Sequence, residues 1–137
     1  MIINANNLIL GRLASFAAKK ALLGERIDII NCENAVITGK KETTFAEYRR
    51  RNEQGTFKGP FLFKRPDMFV KRVIRGMLPY KRECGRNAFN RVRCYISVPE
   101  GLKGQKAETI EGANISKIAN LKYVYVKDIC KKLGVDV

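Results

Sequence analysis

The chain has no histidine and no tryptophan among its 137 residues. Without histidine the commonest general base is missing, and with it Ser–His and Cys–His nucleophilic pairs. The four cysteines, Cys32, Cys84, Cys94 and Cys130, lie 52, 10 and 36 residues apart. None forms a CxxC pair, so a zinc site lacks support from either kind of ligand. Four reduced thiols, mostly small hydrophobes in or near the core, is the simpler account. No apolar run approaches the ~18 residues of a membrane span. The start, MIINANNLILGR, lacks the basic region and small-residue cleavage site of a signal peptide. These absences lead us to expect a soluble, cytoplasmic protein. Acidic residues are scarce as well, 13 against 27 Lys plus Arg, which leaves a net charge of +14.

That excess charge is concentrated. Residues 40–93 hold sixteen bases and five acids, whereas residues 1–39 are close to neutral and 94–137 carry only a small surplus. A cluster of Lys and Arg this dense is the electrostatic footprint of a nucleic-acid binder rather than of a merely solvated face. A hydrophobic fraction of 45% is that of a globular chain, and its length predicts one domain spanning 1–137.

Periodicity predicts an α/β order. MII reads as a strand, followed by a turn rich in Asn4, Asn6 and Asn7. Leu10, Leu13, Ala14, Ala17 and Ala21 recur at helical spacing up to a terminating Gly24. RIDIIN is a second strand, so strand–helix–strand suggests a βαβ unit with a parallel sheet. NAVITG is a third short strand. KKETTFAEYRRRNE reads as a helix with Arg49, Arg50 and Arg51 at its end, where cations suit the helix dipole. GTFKGPFLFKRP is a loop with three phenylalanines, too apolar to float free, and expected to lie against the body or a partner. DMFVKRVIRGM reads as a helix capped by Asp67, with Phe69, Val70, Val73 and Met77 as its apolar stripe. A short helix near Arg86, a strand in RCYISV, an exposed EGLKGQKAE loop, a weakly patterned ISKIANL, an edge strand in KYVYV and a helix in VKDICKKLG complete the chain.

Enzyme motifs fail one by one. The only Gly-Lys step is Gly39-Lys40; the P-loop would need a glycine where Asn34 stands and Ser or Thr where Lys41 stands. GxGxxG and GxSxG are absent. GLKG at 101–104 matches the backbone-clamping GxxG of KH domains, but it follows a strand instead of joining two helices. The carboxylates Glu33, Glu42, Glu47, Asp67 and Glu83 are scattered among bases and read as ion-pair partners and caps. Cys84, beside Lys81, Arg82 and Arg86, has the surroundings of an activated thiol but no evident resolving partner nearby except Cys94, so it reads as a packing residue.

One stretch is more distinctive than these. IRGMLPYKRECGRNAFNRVRCY, residues 74–95, resembles the signature of the universal large-subunit ribosomal protein L13 family. LILGRLAS at 8–15, INCENAVITGKK at 30–41 and the closing NISKIANLKYVYVKDICKKLG are also similar to that family. The short N-terminus and the RGMLP form resemble its archaeal type. The resemblance implies a three-layer α/β/α domain around a small, mostly parallel sheet of about four strands, with a basic, loop-rich middle at 40–93. It implies no enzymatic activity and no cofactor. It implies a structural constituent of the large ribosomal subunit that binds large-subunit rRNA, early in assembly, beside neighbouring ribosomal proteins.

Folded RNA is read largely through phosphates, 2′-hydroxyls and shape, for which exposed Lys and Arg suffice. The candidate contacts are therefore Lys40 and Lys41 at a strand–helix turn and Arg49, Arg50 and Arg51 at a helix end. They continue with Lys58, Lys64 and Arg65 in the aromatic loop, then Arg72 and Arg75, and finally Lys81, Arg82, Arg86, Arg91 and Arg93. Arg12 is a further candidate, equally suited to an internal ion pair. Phe57, Phe61 and Phe63 are candidates for base stacking, although packing on the domain or on a neighbour suits at least two of them. In RGMLPYKRECGR, Met77, Leu78 and Pro79 would anchor the segment, and Gly76 and Gly85 would allow a sharp turn or close approach to RNA. Rival readings are a small nucleotide-using α/β enzyme, a general nucleic-acid module, and adhesion to anionic membranes; no basic amphipathic helix supports the last. We expect no membrane or small-molecule partner, and a monomer outside the ribosome.

Overall fold

The computed structural model of the protein describes residues 1–119 and 122–136. The first three elements form the expected unit: β1 (Ile2–Asn4), α1 (Leu10–Leu22) and β2 (Ile27–Ile30), with β1 and β2 parallel. β3 (Val36–Thr38) leads into α2 (Lys41–Glu53), and α3 (Pro66–Met77) and α4 (Glu83–Asn90) follow. β4 (Val92–Cys94) then returns to the free side of β2, again parallel, giving the order β1–β2–β4. β3 does not join this sheet; it pairs antiparallel with β5 (Tyr123–Tyr125), which runs directly into α5 (Val126–Lys132). The chain is thus an α/β fold with a small parallel sheet of three strands plus a separate antiparallel pair. The end of the ISKIANL segment, residues 120 and 121, lies outside the described residues.

Pleating decides which side of the parallel sheet is covered. Register places Ile3, Ile29 and Cys94 in one row and Ile27 beside Val92 in the next, all on one face. Ile3, Ile27, Ile29 and Val92 are fully buried there, in one cluster with Leu13, Ala14 and Ala17 of α1, Val70 and Ile74 of α3, and Ala88 of α4. The alternate row, Ile2, Asp28 and Arg93, points the other way, and Arg93 is exposed. Each fully buried Leu, Ile or Val contributes about 1.5–3 kcal/mol through burial. Among the described residues no polar or charged side chain is buried.

The alanine face of α1 has a specific use. Ala14, Ala17, Ala18 and Ala21 are short enough for α3 to lie close alongside, where Phe69, Val70 and Ile74 fill the space. The expected stripe on α3 needs two corrections. Val73 is only half-buried and Met77 is 43% exposed, while Ile74 and Leu78 enter the core. Helical rotation puts position 74 under 70, and the chain turns extended at Leu78, which swings that side chain inward. Asp67 is not the cap. Arg65 holds that position and Pro66 occupies the first turn, where its missing N–H costs nothing. Asp67 instead accepts a bond from Arg65 Nη2 at 3.1 Å.

The ends of β1 and β2 are stitched by asparagines. Asn31 Nδ2 donates to Asn4 Oδ1, and Asn34 Nδ2 to Asn6 Oδ1, each at 3.0 Å. Asn7 and Asn31 take left-handed conformations, φ 57° and 56°, which asparagine tolerates better than most residues. RCYISV is a strand only as far as Cys94; Ser97, at φ 55°, bends the chain away and donates its N–H to Glu33.

Gly85 stands out among the glycines. It is buried in the first turn of α4, and a methyl group on it would overlap the backbone carbonyl of Pro79. It therefore serves neither a turn nor RNA approach; it lets α4 pack on the turn leaving α3. Gly85→Ala would remove a helix-weakening glycine yet is expected to destabilise the fold by about 1–3 kcal/mol, because fixed backbone would have to move. A urea denaturation midpoint equal to or above wild type would refute this.

The cysteines divide by burial. Cys32 and Cys130 are buried and Cys94 is half-buried, but Cys84 is exposed on α4, so it is not the packing residue expected from the sequence. The hydrogen bond between Cys32 and Cys94, followed by burial, pushes the Cys32 thiol far up. Burial, with the Asp67 charge second, pushes Cys130 up to about 12. Alkylation of the native protein at mildly basic pH should modify Cys84 first and spare Cys32 and Cys130 until denaturant is added. Peptide mapping that finds Cys130 labelled as fast as Cys84 would contradict this.

Candidate nucleic-acid interface

α3 carries the interface because its two faces do different work. Phe69, Val70 and Ile74 are committed to the core, which leaves Arg72, Arg75, Gly76 and Met77 facing outward. Beyond the helix, Leu78 is buried and fixes the chain, and Arg82 N–H donates to the Pro79 carbonyl at 2.9 Å to close the turn. α4 then starts, with Arg82 as its N-terminal cap residue. Lys81, Arg82 and Arg86 are all exposed at this turn. Of the expected anchors, only Leu78 fills that role; Met77 and Pro79 are exposed. None of Arg72, Arg75, Lys81, Arg82 and Arg86 pairs with a carboxylate among the described residues.

The arginines of α2 differ. Glu47 accepts from Arg50 Nε and Nη2 at 3.1 and 3.0 Å, and from Arg51 Nε at 2.8 Å. The bonds from Arg50 and then Arg51 hold the Glu47 carboxyl below its ordinary range, and Glu47 in turn raises Arg50. Arg49 lies 3.8 Å from Glu53. Much of this cluster's charge is thus answered locally, as is that of Arg65 by Asp67. α2 has no buried residue of its own. It is held by half-buried Phe45 and Tyr48, the latter packed on Phe69 with ring centroids 5.0 Å apart.

Between the end of α2, the 54–63 loop and α3 lies an open cleft of about 540 Å³. Tyr48, Phe63, Arg51 and Arg72 line it. Each guanidinium sits by an aromatic face: Arg51 is 5.4 Å from the Tyr48 centroid and Arg72 is 6.0 Å from that of Phe63. Burial pushes the Tyr48 phenol up. Phe57 is 100% exposed and Phe61 73%, so neither packs on the body of this chain. Lys58 and Lys64 flank these rings on the same loop, Lys58 exposed and Lys64 half-buried.

The remaining candidates fall elsewhere. Lys40 and Lys41 line a recess with Gly39 and Lys122, and Lys41 also neighbours Lys131 and Lys132 of α5. Arg91 and Arg93 surround Asp28 together with Arg26. Arg91 also donates to the Ala21 carbonyl at 3.3 Å. Among the described residues Arg12 makes no ion pair but donates to the Gly112 carbonyl at 2.8 Å. Sequence reading missed Arg26, Lys122, Lys131 and Lys132. The position of Arg26 follows from strand register: Ile27 pairs with Val92, so the residues just before them, Arg26 and Arg91, must be neighbours. For the three lysines no local motif exists, because β3–β5 pairing and the packing of α5 bring them to Lys40 and Lys41.

The family model for ribosomal protein L13 matches residues 1–100. The large ribosomal subunit protein uL13 of Methanosarcina barkeri is 47% identical over 135 residues, covering 97% of this chain and 96% of that protein. The uL13 of Methanococcoides burtonii is 44% identical over 97% of this chain and 96% of its own. That of Archaeoglobus fulgidus is 43% identical over 97% and 86% respectively. With a family model covering well over half of its length and relatives of this similarity along nearly all of it, the chain belongs to the ribosomal protein L13 family.

Proposed function

We propose that the protein is a structural, non-catalytic constituent of the large ribosomal subunit that binds large-subunit rRNA through its basic surface, early in subunit assembly. The observation that carries this reading is the run of exposed cations from Arg72 and Arg75 through Lys81 and Arg82 to Arg86, none paired with a carboxylate among the described residues. A folded apolar platform holds these cations in fixed relation, so binding RNA requires little further ordering of the protein. A core with no buried polar side chain among the described residues also favours a body that folds before its RNA arrives. Lys40, Lys41, Arg91 and Arg93 extend the surface to two further edges, where Arg26, Lys131 and Lys132 join them. Arg49, Arg50, Arg51 and Arg65 contribute less, because RNA must compete with Glu47, Glu53 and Asp67 for them. The bare rings of Phe57 and Phe61 suit contact with RNA or a neighbouring ribosomal protein. The ribosome places the protein in the cytoplasm, and no described helix is long and apolar enough to cross a membrane.

Reversing Lys81, Arg82 and Arg86 to Glu tests the reading. All three are exposed and unpaired, so the unfolding midpoint should stay near wild type. Affinity for large-subunit rRNA should fall by at least about a hundredfold, and the slope of log K against log salt should shrink by roughly 2–3 units, close to one per lost phosphate contact. A folded triple variant with unaltered affinity and slope would defeat the proposal.

A further inference from the structure

Gly76 has no explanation within the protein. It lies in the last turn of α3, one residue before the helix ends, and takes no left-handed conformation that would call for glycine. A Cβ built on it meets nothing within 4 Å, in contrast to Gly85, whose neighbours forbid a side chain. Gly76 borders the cleft one helical turn beyond Arg72, so any side chain there would narrow the mouth. Helix stability gains nothing from this glycine, and nothing in the described fold demands it; an incoming group laid against the α3 backbone would.

The rest of the cleft says what kind of group that is. Phe63 and Tyr48 offer aromatic surface, and Arg72 and Arg51 bring cations to the same rings. Among the described residues Arg72 has no carboxylate partner, so its charge is available for a phosphate. Gln54, also on the lining, offers both a donor and an acceptor. The volume of about 540 Å³ falls in the range of small-ligand sites. Arg51 is already held by Glu47, so a purely apolar protein segment would leave Arg72 unanswered, and a bare anion would leave the rings unused. A nucleotide answers both, with a stacking plane and a phosphate on one body.

We propose that this cleft receives one unstacked nucleotide of the rRNA, its base against Phe63 and Tyr48, its phosphate on Arg72, and its sugar–phosphate chain passing over Gly76. The site rests on the rRNA-binding reading above but adds a stacking contribution that the cationic run lacks. It divides the interface into salt-sensitive and salt-insensitive parts: phosphate neutralisation fades as salt rises, whereas base–aromatic stacking persists.

The test compares Phe63→Ala, Gly76→Leu and Arg72→Ala in the full chain, binding transcribed large-subunit rRNA across a salt series. Phe63→Ala and Gly76→Leu should each weaken binding by roughly 5- to 100-fold without changing the salt slope. Arg72→Ala should weaken binding and reduce the slope by about one unit. Gly76→Leu should unfold at no lower denaturant concentration than wild type, since leucine is the better helix former, so its loss of RNA cannot be ascribed to misfolding. Short-wave ultraviolet irradiation of the wild-type complex should crosslink RNA to Phe63 or Tyr48. If wild type and Arg72→Ala bind alike, Gly76→Leu is neutral and no crosslink falls in the cleft, the nucleotide site is wrong. In that case a loss of binding on reversing Lys81, Arg82 and Arg86 would leave the general rRNA reading intact. Failure of the wild-type protein to bind rRNA at all would remove both.

Discussion

Everything outward-facing in this protein depends on how closely α3 lies against α1. Four alanines on α1 replace what would otherwise be bulky packing, and Phe69, Val70 and Ile74 reach through to the strands. Close packing of this kind admits little sliding or rotation, because interiors are as dense as molecular crystals. α3 is thereby fixed in rotation about its own axis. A helix so fixed can present Arg72, Arg75 and Gly76 as a defined surface instead of an average one. The short turn through Leu78, tightened by the contact of Gly85 with the Pro79 carbonyl, passes that rigidity on to Lys81, Arg82 and Arg86.

The basic residues form more than one class. Those on α3 and the α3–α4 turn form no ion pair among the described residues, although Glu83 adjoins Arg82 in the chain, and solvent exposure keeps their mutual repulsion tolerable. Those on α2 are organised around Glu47, which fixes where two guanidinium groups point. The price of this order is weaker attraction for a polyanion. α2, lacking any buried residue, is attached through the rings of Phe45 and Tyr48, so it is the element most free to adjust when a ligand arrives.

Periodicity and punctuation in the sequence disclose most of the elements. The alanine spacing marks α1, Gly24 its end, and the short apolar run in RIDIIN the buried strand. What stays hidden is partnership. Nothing local to NAVITG says that β3 avoids the parallel sheet and waits for residues 123–125 to pair with it. Three-residue strands carry too little pattern to specify their neighbours. For the same reason Arg26, Lys131 and Lys132 could not be joined to their clusters from spacing alone. At the ends of α3, single-residue choices decide the outcome: Pro66 displaces Asp67 from the cap, and the extended turn at Leu78 sends Met77 outward. Gly85 and Gly76 look equivalent as letters, and only the surrounding atoms separate the one the fold requires from the one it does not.

The later part of the chain closes over its beginning. Glu108 N–H donates to Ile2 O and its carbonyl accepts from Asn4, Ala113 O accepts from Ile9, and Val126 N–H donates to Ala35 O. The outer edge of β1 and the edge of β3 are therefore closed by residues 108–126, whereas β4 closes that of β2. The basic middle lies between these two halves in the sequence, so the body that positions its cations is closed by residues that follow it. The last quarter of the chain thus supplies the bonds that close the platform on which the cations stand, so a truncation there removes support from a surface it does not itself form.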